Sequence, residues 1–239
     1  MQPGIRYFYF MKTIGLIGGL TWFSSIDYYR YMNQLVNERL GGDEAARIIL
    51  NSVNYGEIKK LTQSDRWDQI TEVIGQAAIQ TEKAGADCIL LGANTMHHIA
   101  EAVQSQITVP LIHIADATAN AIRQQGIKAV ALLGTKYTMQ FDFYKKRLAA
   151  QGIQTLIPGV QDIEYVNQSI YNELGKGQFL DGTRRQYQRI IGELQQEGAG
   201  GVILGCTEIP LLIKQEDSPI PVFDTTLIHA MAAVDFALA

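Results

Sequence analysis

Short runs rich in Ile, Val and Leu alternate along this chain with longer segments whose apolar residues recur at helical spacing. That rhythm is the signature of repeated βα units and a mostly parallel sheet. It predicts strands over 12–17, 47–53, 87–92 and 109–113, then over 128–133, 153–157, 200–205 and 220–223. Helices are predicted over 24–39, 66–83, 95–104, 116–124, 137–151, 163–174, 181–197, 207–213 and 225–238. The stretch from Tyr55 to Ser64 reads as a loop. Four strands in each half imply two small α/β domains, so we expect residues 11–125 to form a first α/β domain and 126–239 a second. The last helix, 225–238, is expected to cross back and pack on the first half. No Pro-rich or low-complexity linker separates the two.

The halves carry copies of the same segment. Gly85-Ala86-Asp87-Cys88-Ile89-Leu90-Leu91-Gly92-Ala93 aligns without a gap on Gly198-Ala199-Gly200-Gly201-Val202-Ile203-Leu204-Gly205-Cys206, 113 residues later. A second echo, Lys12–Gly19 on Lys128–Thr135, lies at an offset of 116. Two similar halves can face each other across a cleft, and each copied strand runs straight into a polar cluster. The copies differ at one informative position, where Cys206 in the second half matches Ala93 in the first.

Composition narrows the class of protein. Of the 239 residues, 47% are hydrophobic and 18% charged, which suits an ordinary globular core. The net charge of −4 and the scattered Lys and Arg residues leave no basic patch for a nucleic-acid backbone. Only Cys88 and Cys206 are present, neither a disulfide framework nor a metal set, and a reducing cytoplasm is the expected compartment. Residues 1–10 are aromatic and apolar but lack the long apolar region and cleavage site of a signal peptide, and they are too short to span a membrane. We read them as an extension preceding a domain that begins at Met11.

In open parallel sheets, ligands bind beyond the carboxyl ends of the strands. Gly18-Gly19-Leu20-Thr21, Ala93-Asn94-Thr95, Gly134-Thr135-Lys136-Tyr137-Thr138 and Cys206-Thr207-Glu208 all fall there. Cys206 ends an apolar run and opens a predicted helix, where backbone N–H groups and the helix dipole are expected to lower its pKa and make it reactive. Cys88 sits inside its run and is expected to be buried and inert. Asn94 and Thr95 could hold a carboxylate at a helix start or simply cap that helix. His97 and His98 point about 100° apart on a helix, and neither they nor His113 and His229 have metal spacing, so no metal is expected. The glycines of Gly15-Leu16-Ile17-Gly18-Gly19 match neither a dinucleotide fingerprint nor a P-loop. They let a backbone approach a small ligand instead.

These segments, taken in order from Met11 to the C-terminus, resemble the cofactor-independent aspartate/glutamate racemases. The resemblance rests on Ile14–Gly19, Ala93-Asn94-Thr95-Met96-His97, Ile112–Thr118, Leu132–Thr135, Gly205-Cys206-Thr207-Glu208-Ile209 and Pro221–Thr225. It implies two α/β domains related by pseudo-twofold symmetry, an active site in the cleft between them, and a homodimer. It implies a racemase of a small acidic amino acid that works without pyridoxal phosphate or any other cofactor. In that family two opposed bases, one per half, remove and return the α-proton. Cys206 matches the second base. Asn94, Thr95 and Thr207 match the groups that grip the α-carboxylate, with Leu20, Thr135 and Thr138 in the neighbouring substrate segments. Lys176 resembles the family's basic residue for a side-chain carboxylate. At Ala93 the family has Cys, or Thr in one branch, and Ala has no proton to give. The single thiol is also compatible with a decarboxylase of malonate-like acids, or with a binding protein that kept the cleft and lost turnover.

Overall fold

The computed structural model describes residues 11–239, so the extension read over 1–10 lies outside the described residues. The first half contains β1 (Ile14–Gly18), α1 (Trp22–Leu40), β2 (Ile48–Ser52), α2 (Tyr55–Gln63), α3 (Trp67–Lys83), β3 (Cys88–Leu91), a 3-10 turn (Thr95–Ile99), α4 (Ala100–Gln104) and α5 (Ile114–Gln124). The second half contains β4 (Ala129–Gly134), α6 (Lys136–Gln140), α7 (Asp142–Ala150), β5 (Gln154–Leu156) and α8 (Val160–Asn172). It continues through a 3-10 turn (Leu174–Lys176), α9 (Asp181–Gln196), β6 (Val202–Gly205), α10 (Ile209–Leu212), β7 (Val222–Asp224) and α11 (Thr225–Leu238). All paired strands run parallel, in the orders β2-β1-β3 and β5-β4-β6-β7.

Both faces of each sheet are covered, which is why the strands read as unbroken apolar runs and not as alternating ones. Successive side chains still point to opposite faces. Ile14, Leu16, Cys88 and Leu90 enter one core, while Ile17, Ile89 and Leu91 enter the other. In the second sheet Val130, Leu132 and Ile203 face α5 and α7, whereas Ala131, Leu133, Val202 and Leu204 face α8 and α9.

Several local expectations change. The segment 109–113 makes a single bridge, Leu111 with Ile89, so the first sheet has three strands where four were expected. Pro110 has no N–H to extend the ladder, and His113 already caps α5 by accepting from Ala115 N. The stretch expected to be a loop at 55–64 is α2, started by Asn54, whose side chain accepts from Gly56 N. The helix expected over 95–104 is a 3-10 turn followed by a short α-helix, and that over 137–151 breaks at Phe141.

The halves exchange helices. On the first sheet, Ala230, Ala233, Val234 and Ala237 of α11 pack with Tyr28, Met32 and Val36 of α1. On the second sheet, Ile114, Ala115, Ala119 and Ile122 of α5 cover Val130, Leu132, Ile203 and Phe223. A buried histidine secures the exchange. Tyr28 Oη donates to His229 Nδ1 at 2.8 Å, and His229 Nε2–H donates to the Ile112 carbonyl at 2.7 Å. His97 and His113 stand beside it, with ring centroids 5.4 and 4.6 Å apart for His97–His229 and His97–His113. Burial pushes His229 from 6.5 down to about 4 and, with Arg147 adding to it, His113 down to about 3.

These neutral rings set an acid dependence. A ring that stays neutral in the fold but binds a proton in the unfolded chain makes protons favour unfolding. Stability should therefore hold above about pH 7 and fall as pH drops through 6.5 towards 4, where the folded His229 also protonates. At about 1.4 kcal/mol per unit, His229 alone is worth on the order of 3 kcal/mol. Urea unfolding between pH 8 and pH 4 checks this, and His229→Gln should flatten the profile.

Candidate active site

The carboxyl ends of both sheets converge on one cavity of about 300 Å³. Leu20 and Thr21 reach it after β1, Tyr55 from α2, and Ala93, Asn94 and Thr95 after β3. Thr135 and Tyr137 follow β4, Lys176 sits on the 3-10 turn after α8, and Cys206, Thr207 and Glu208 follow β6. Glycines permit the approach. A Cβ on Gly205 would meet the Leu133 carbonyl at 3.0 Å, and Gly19, at φ +73°, leaves no room for one beside the Val53 carbonyl.

Of the residues singled out from the sequence, Leu20, Ala93, Asn94, Thr95, Thr135, Lys176, Cys206 and Thr207 line this cavity. Thr138 does not. It is fully buried behind the wall, where its hydroxyl lies 3.2 Å from that of Thr135 and 3.3 Å from that of Thr95. Asn94 makes no cap bond. Its Nδ2 donates to Thr225 Oγ1 at 3.0 Å, and Thr225 in turn donates to the Leu204 carbonyl. Thr95 and Thr135 bond across the two halves at 2.9 Å. His97 belongs to the wall behind, with its Nδ1–H donating to the Ala93 carbonyl at 3.0 Å.

Cys206 is 8% exposed, and its thiol donates to Glu208 Oε2 at 2.8 Å. The expectation of a lowered pKa is overturned: burial first, and then the adjoining Glu208 carboxyl group, push the thiol well above its ordinary range. The helix that was to stabilise a thiolate begins only at Ile209 and is four residues long. Its dipole is too short, and too far along the chain, to offset desolvation. Cys88, by contrast, is fully buried and pushed up to about 12, as its place inside β3 suggests.

The partners of Glu208 come from far along the chain. Thr21 Oγ1 lies 2.7 Å from its Oε1, and Thr207 Oγ1 lies 2.9 Å from its Oε2. Ser24 Oγ is 2.6 Å from Thr21 Oγ1 and 2.5 Å from Thr207 Oγ1. Thr21 is also the N-cap of α1, so the helix start is built into the site. Tyr55, pushed up to about 12 chiefly by burial, faces Glu208 and Cys206 from α2. Tyr137 Oη donates to the Thr62 carbonyl and ties α6 to α2 at the cavity wall. From the sequence, Glu208 was named only within the segment Cys206-Thr207-Glu208 and Tyr55 only as the start of a loop, neither with a role of its own, and Ser24 only as the start of a helix. The signal for Glu208 was its place two residues after Cys206, and for Ser24 the Thr21-x-x-Ser24 spacing of a helix start.

Lys59, Lys136 and Lys176 line the cavity, and Glu208 supplies its one carboxyl group among the described residues. That balance suits an anionic ligand. Among the described residues no group of three or more His, Cys, Asp or Glu side chains is placed to hold a metal. No described helix is long and apolar enough to cross a membrane.

Two parallel α/β sheets feeding one thiol-bearing cleft define the class of fold built by the aspartate and glutamate racemases. The chain belongs to the Asp/Glu/hydantoin racemase family, whose model matches residues 17–233. It is 31% identical over 172 residues to the broad-specificity amino-acid racemase RacX of Bacillus subtilis (strain 168), covering 72% of this chain and 74% of that one. A crystal structure of a Yersinia pestis protein assigned to the Asp/Glu racemases superposes with a TM-score of 0.90 at 47% identity, over 96% of this chain and all of that one. An aspartate racemase homologue from Pyrococcus horikoshii OT3 superposes at 0.83 with 36% identity, over 95% and 99% of the two chains.

The raised thiol makes a direct prediction. Alkylation of Cys206 by iodoacetamide, followed by peptide mass spectrometry, should keep accelerating well above pH 8.5, where an ordinary cysteine has largely ionised. A rate that levels off near or below pH 8.5 would contradict the geometry of the Cys206–Glu208 contact.

Proposed function

We propose that the cavity takes a small acidic amino acid of the aspartate/glutamate type and that Cys206 exchanges the proton at its α-carbon without a cofactor. The observation that carries this reading is the Cys206 thiol, held as a proton donor to Glu208 on the wall of a cleft that also carries three lysines, Lys59, Lys136 and Lys176. Thr95, Thr135 and Thr207 supply hydroxyls for the α-carboxylate, and Lys176 is the candidate for the side-chain carboxylate.

The chemistry is one-sided. The Cys206 S–H bond breaks as the proton passes to one face of the planar carbanion, and the sulfur keeps the electron pair as thiolate. In the opposite direction Cys206 as thiolate takes the α-proton, its S–H bond forming as the Cα–H bond breaks, and because Ala93 offers only a methyl group on the other face, the proton delivered there must come from water or from a neighbouring hydroxyl such as Thr95, which is left as hydroxide or alkoxide until solvent reprotonates it. Slow turnover follows from that vacancy. The reading includes a homodimer, for which Trp22, Phe23, Ile26 and Tyr29 on α1 provide an exposed apolar face.

Proton NMR in deuterium oxide, with each enantiomer of aspartate and glutamate offered separately, tests the reading through loss of the α-proton signal and product chirality. Cys206→Ser should lower exchange by about a hundredfold or more, the scale of a lost general acid. Ala93→Cys should raise inversion by at least about tenfold. If folded Ala93→Cys protein stays at background, the two-base inheritance is wrong.

Lys176→Met should raise the KM for both acidic substrates by about tenfold, the scale of one lost charge-assisted bond, with kcat little changed. Steady-state kinetics on the exchanging enantiomer measures it. An unchanged KM would remove Lys176 from the site.

A second reading draws on the same thiol. A donor with no base opposite it is suited to protonating a carbanion made by loss of carbon dioxide. No exchange with any of the four amino acids, together with decarboxylation of a malonate-like acid, would favour this alternative.

A further inference from the structure

Glu208 is a buried carboxylate with no cation beside it. It is 5% exposed, and none of the ion pairs among the described residues includes it, although three lysines line the same cavity. Only uncharged donors reach its oxygens: Thr21 Oγ1 at 2.7 Å on Oε1, and Thr207 Oγ1 at 2.9 Å with the Cys206 thiol at 2.8 Å on Oε2. A charge withdrawn from water calls for a partner of opposite sign. Glu208 and Thr21 both line the cavity, so a ligand can bring that partner.

The hydrogens around Glu208 point the same way. Ser24 Oγ stands 2.6 Å from Thr21 Oγ1 and 2.5 Å from Thr207 Oγ1, and both of those residues already direct their single hydroxyl hydrogens to Glu208. Ser24 therefore has one hydrogen for two acceptors. One of its contacts is oxygen against oxygen with nothing between, and Ser24 is 2% exposed and does not line the cavity. The cluster is one hydrogen short. A donor can enter at Oε1, which has a single partner, whereas Oε2 already has two.

We infer that Glu208 Oε1 and Thr21 Oγ1 receive the α-ammonium group of the substrate, and that Ser24 is a positioning residue for this subsite; the inference rests on the reading of the cavity as a site for an acidic amino acid. An ammonium N–H on Oε1 releases the Thr21 hydrogen, which turns to Ser24 Oγ, and Ser24 donates to Thr207 Oγ1. Thr207 keeps its own hydrogen for Oε2 or for the α-carboxylate of the ligand. Both Ser24 contacts then hold a hydrogen, a second ammonium N–H faces Thr21 Oγ1, and Glu208 has its counter-charge. The nitrogen is bonded to the α-carbon, so this seat brings that carbon to the carboxylate whose other oxygen holds Cys206. Selectivity follows. A diacid without the amine leaves Glu208 unpaired and adds negative charge near it.

Isothermal titration calorimetry of the full chain tests this, with each enantiomer of aspartate and glutamate and with succinate and glutarate, the same diacids lacking the amine. Wild-type protein should bind its preferred amino acid at least about tenfold more tightly than the matching diacid, the scale of one hydrogen bond between charged groups. Glu208→Gln should weaken the amino acid at least about tenfold while the diacid holds or tightens, a divergence that general damage to the site would not produce. Ser24→Ala should weaken the amino acid about threefold and leave the diacid unchanged. Circular dichroism confirms that each variant is folded. Equal wild-type affinity for amino acid and diacid would overturn the inference and leave the acidic-ligand cavity standing, as would equal losses for both in folded Glu208→Gln. Equal losses in folded Ser24→Ala would remove Ser24 from the subsite. Binding of none of the six compounds would overturn the proposed substrate class and the subsite with it. If Glu208→Gln does not fold, the wild-type comparison decides alone.

Discussion

Each half of this protein relies on a helix from the other. Helix α11, last in the chain, is buried on the first sheet, and α5, from the first half, is buried on the second. The exchange removes large apolar faces from water, and it means that neither sheet is fully covered by its own half. Tyr28, His229 and the Ile112 carbonyl satisfy the polar groups trapped at one of these contacts. Because the carboxyl ends of both sheets are thereby held towards one another, residues from β1 and β6 can share a carboxyl group across the cleft.

That shared group explains the character of the thiol. A cysteine at the end of a strand, ahead of a helix, suggests a thiolate when only local features are considered. Burial and the Glu208 contact reverse the sign, because the cost of an ionised sulfur in a closed pocket exceeds what a four-residue helix can offer. The thiol is therefore held in its protonated form, as the donor of a hydrogen bond to Glu208. At the position that matches Cys206 in the other copy of the repeated segment, Ala93 has only a methyl group.

Much of the framework was legible along the chain. The paired apolar runs marked the strands that became β3 and β6, and the polar residues following them marked the cavity wall. Elements were misread where the local signal was thin. Helix α2 lacks a long apolar stripe, and only Ile58 and Thr62, one turn apart, are buried. The run 109–113 is apolar enough for a strand, yet Pro110 cannot donate and His113 is already committed to the next helix. Thr138 looked like its neighbour Thr135, but one residue reaches the cavity and the other supports it from behind.

The sequence by itself determined the parallel α/β architecture, the duplication, and the placing of Cys206 and Ala93 at matching strand ends. Those features depend on short apolar runs set between segments of helical spacing and on glycine punctuation, which are local properties. Only the tertiary structure decided which oxygens surround Glu208 and in which form the thiol is held. Thr21 and Ser24 lie more than 180 residues before Thr207 and Glu208 in the chain, and proton affinity follows burial and through-space neighbours, to which sequence distance is no guide.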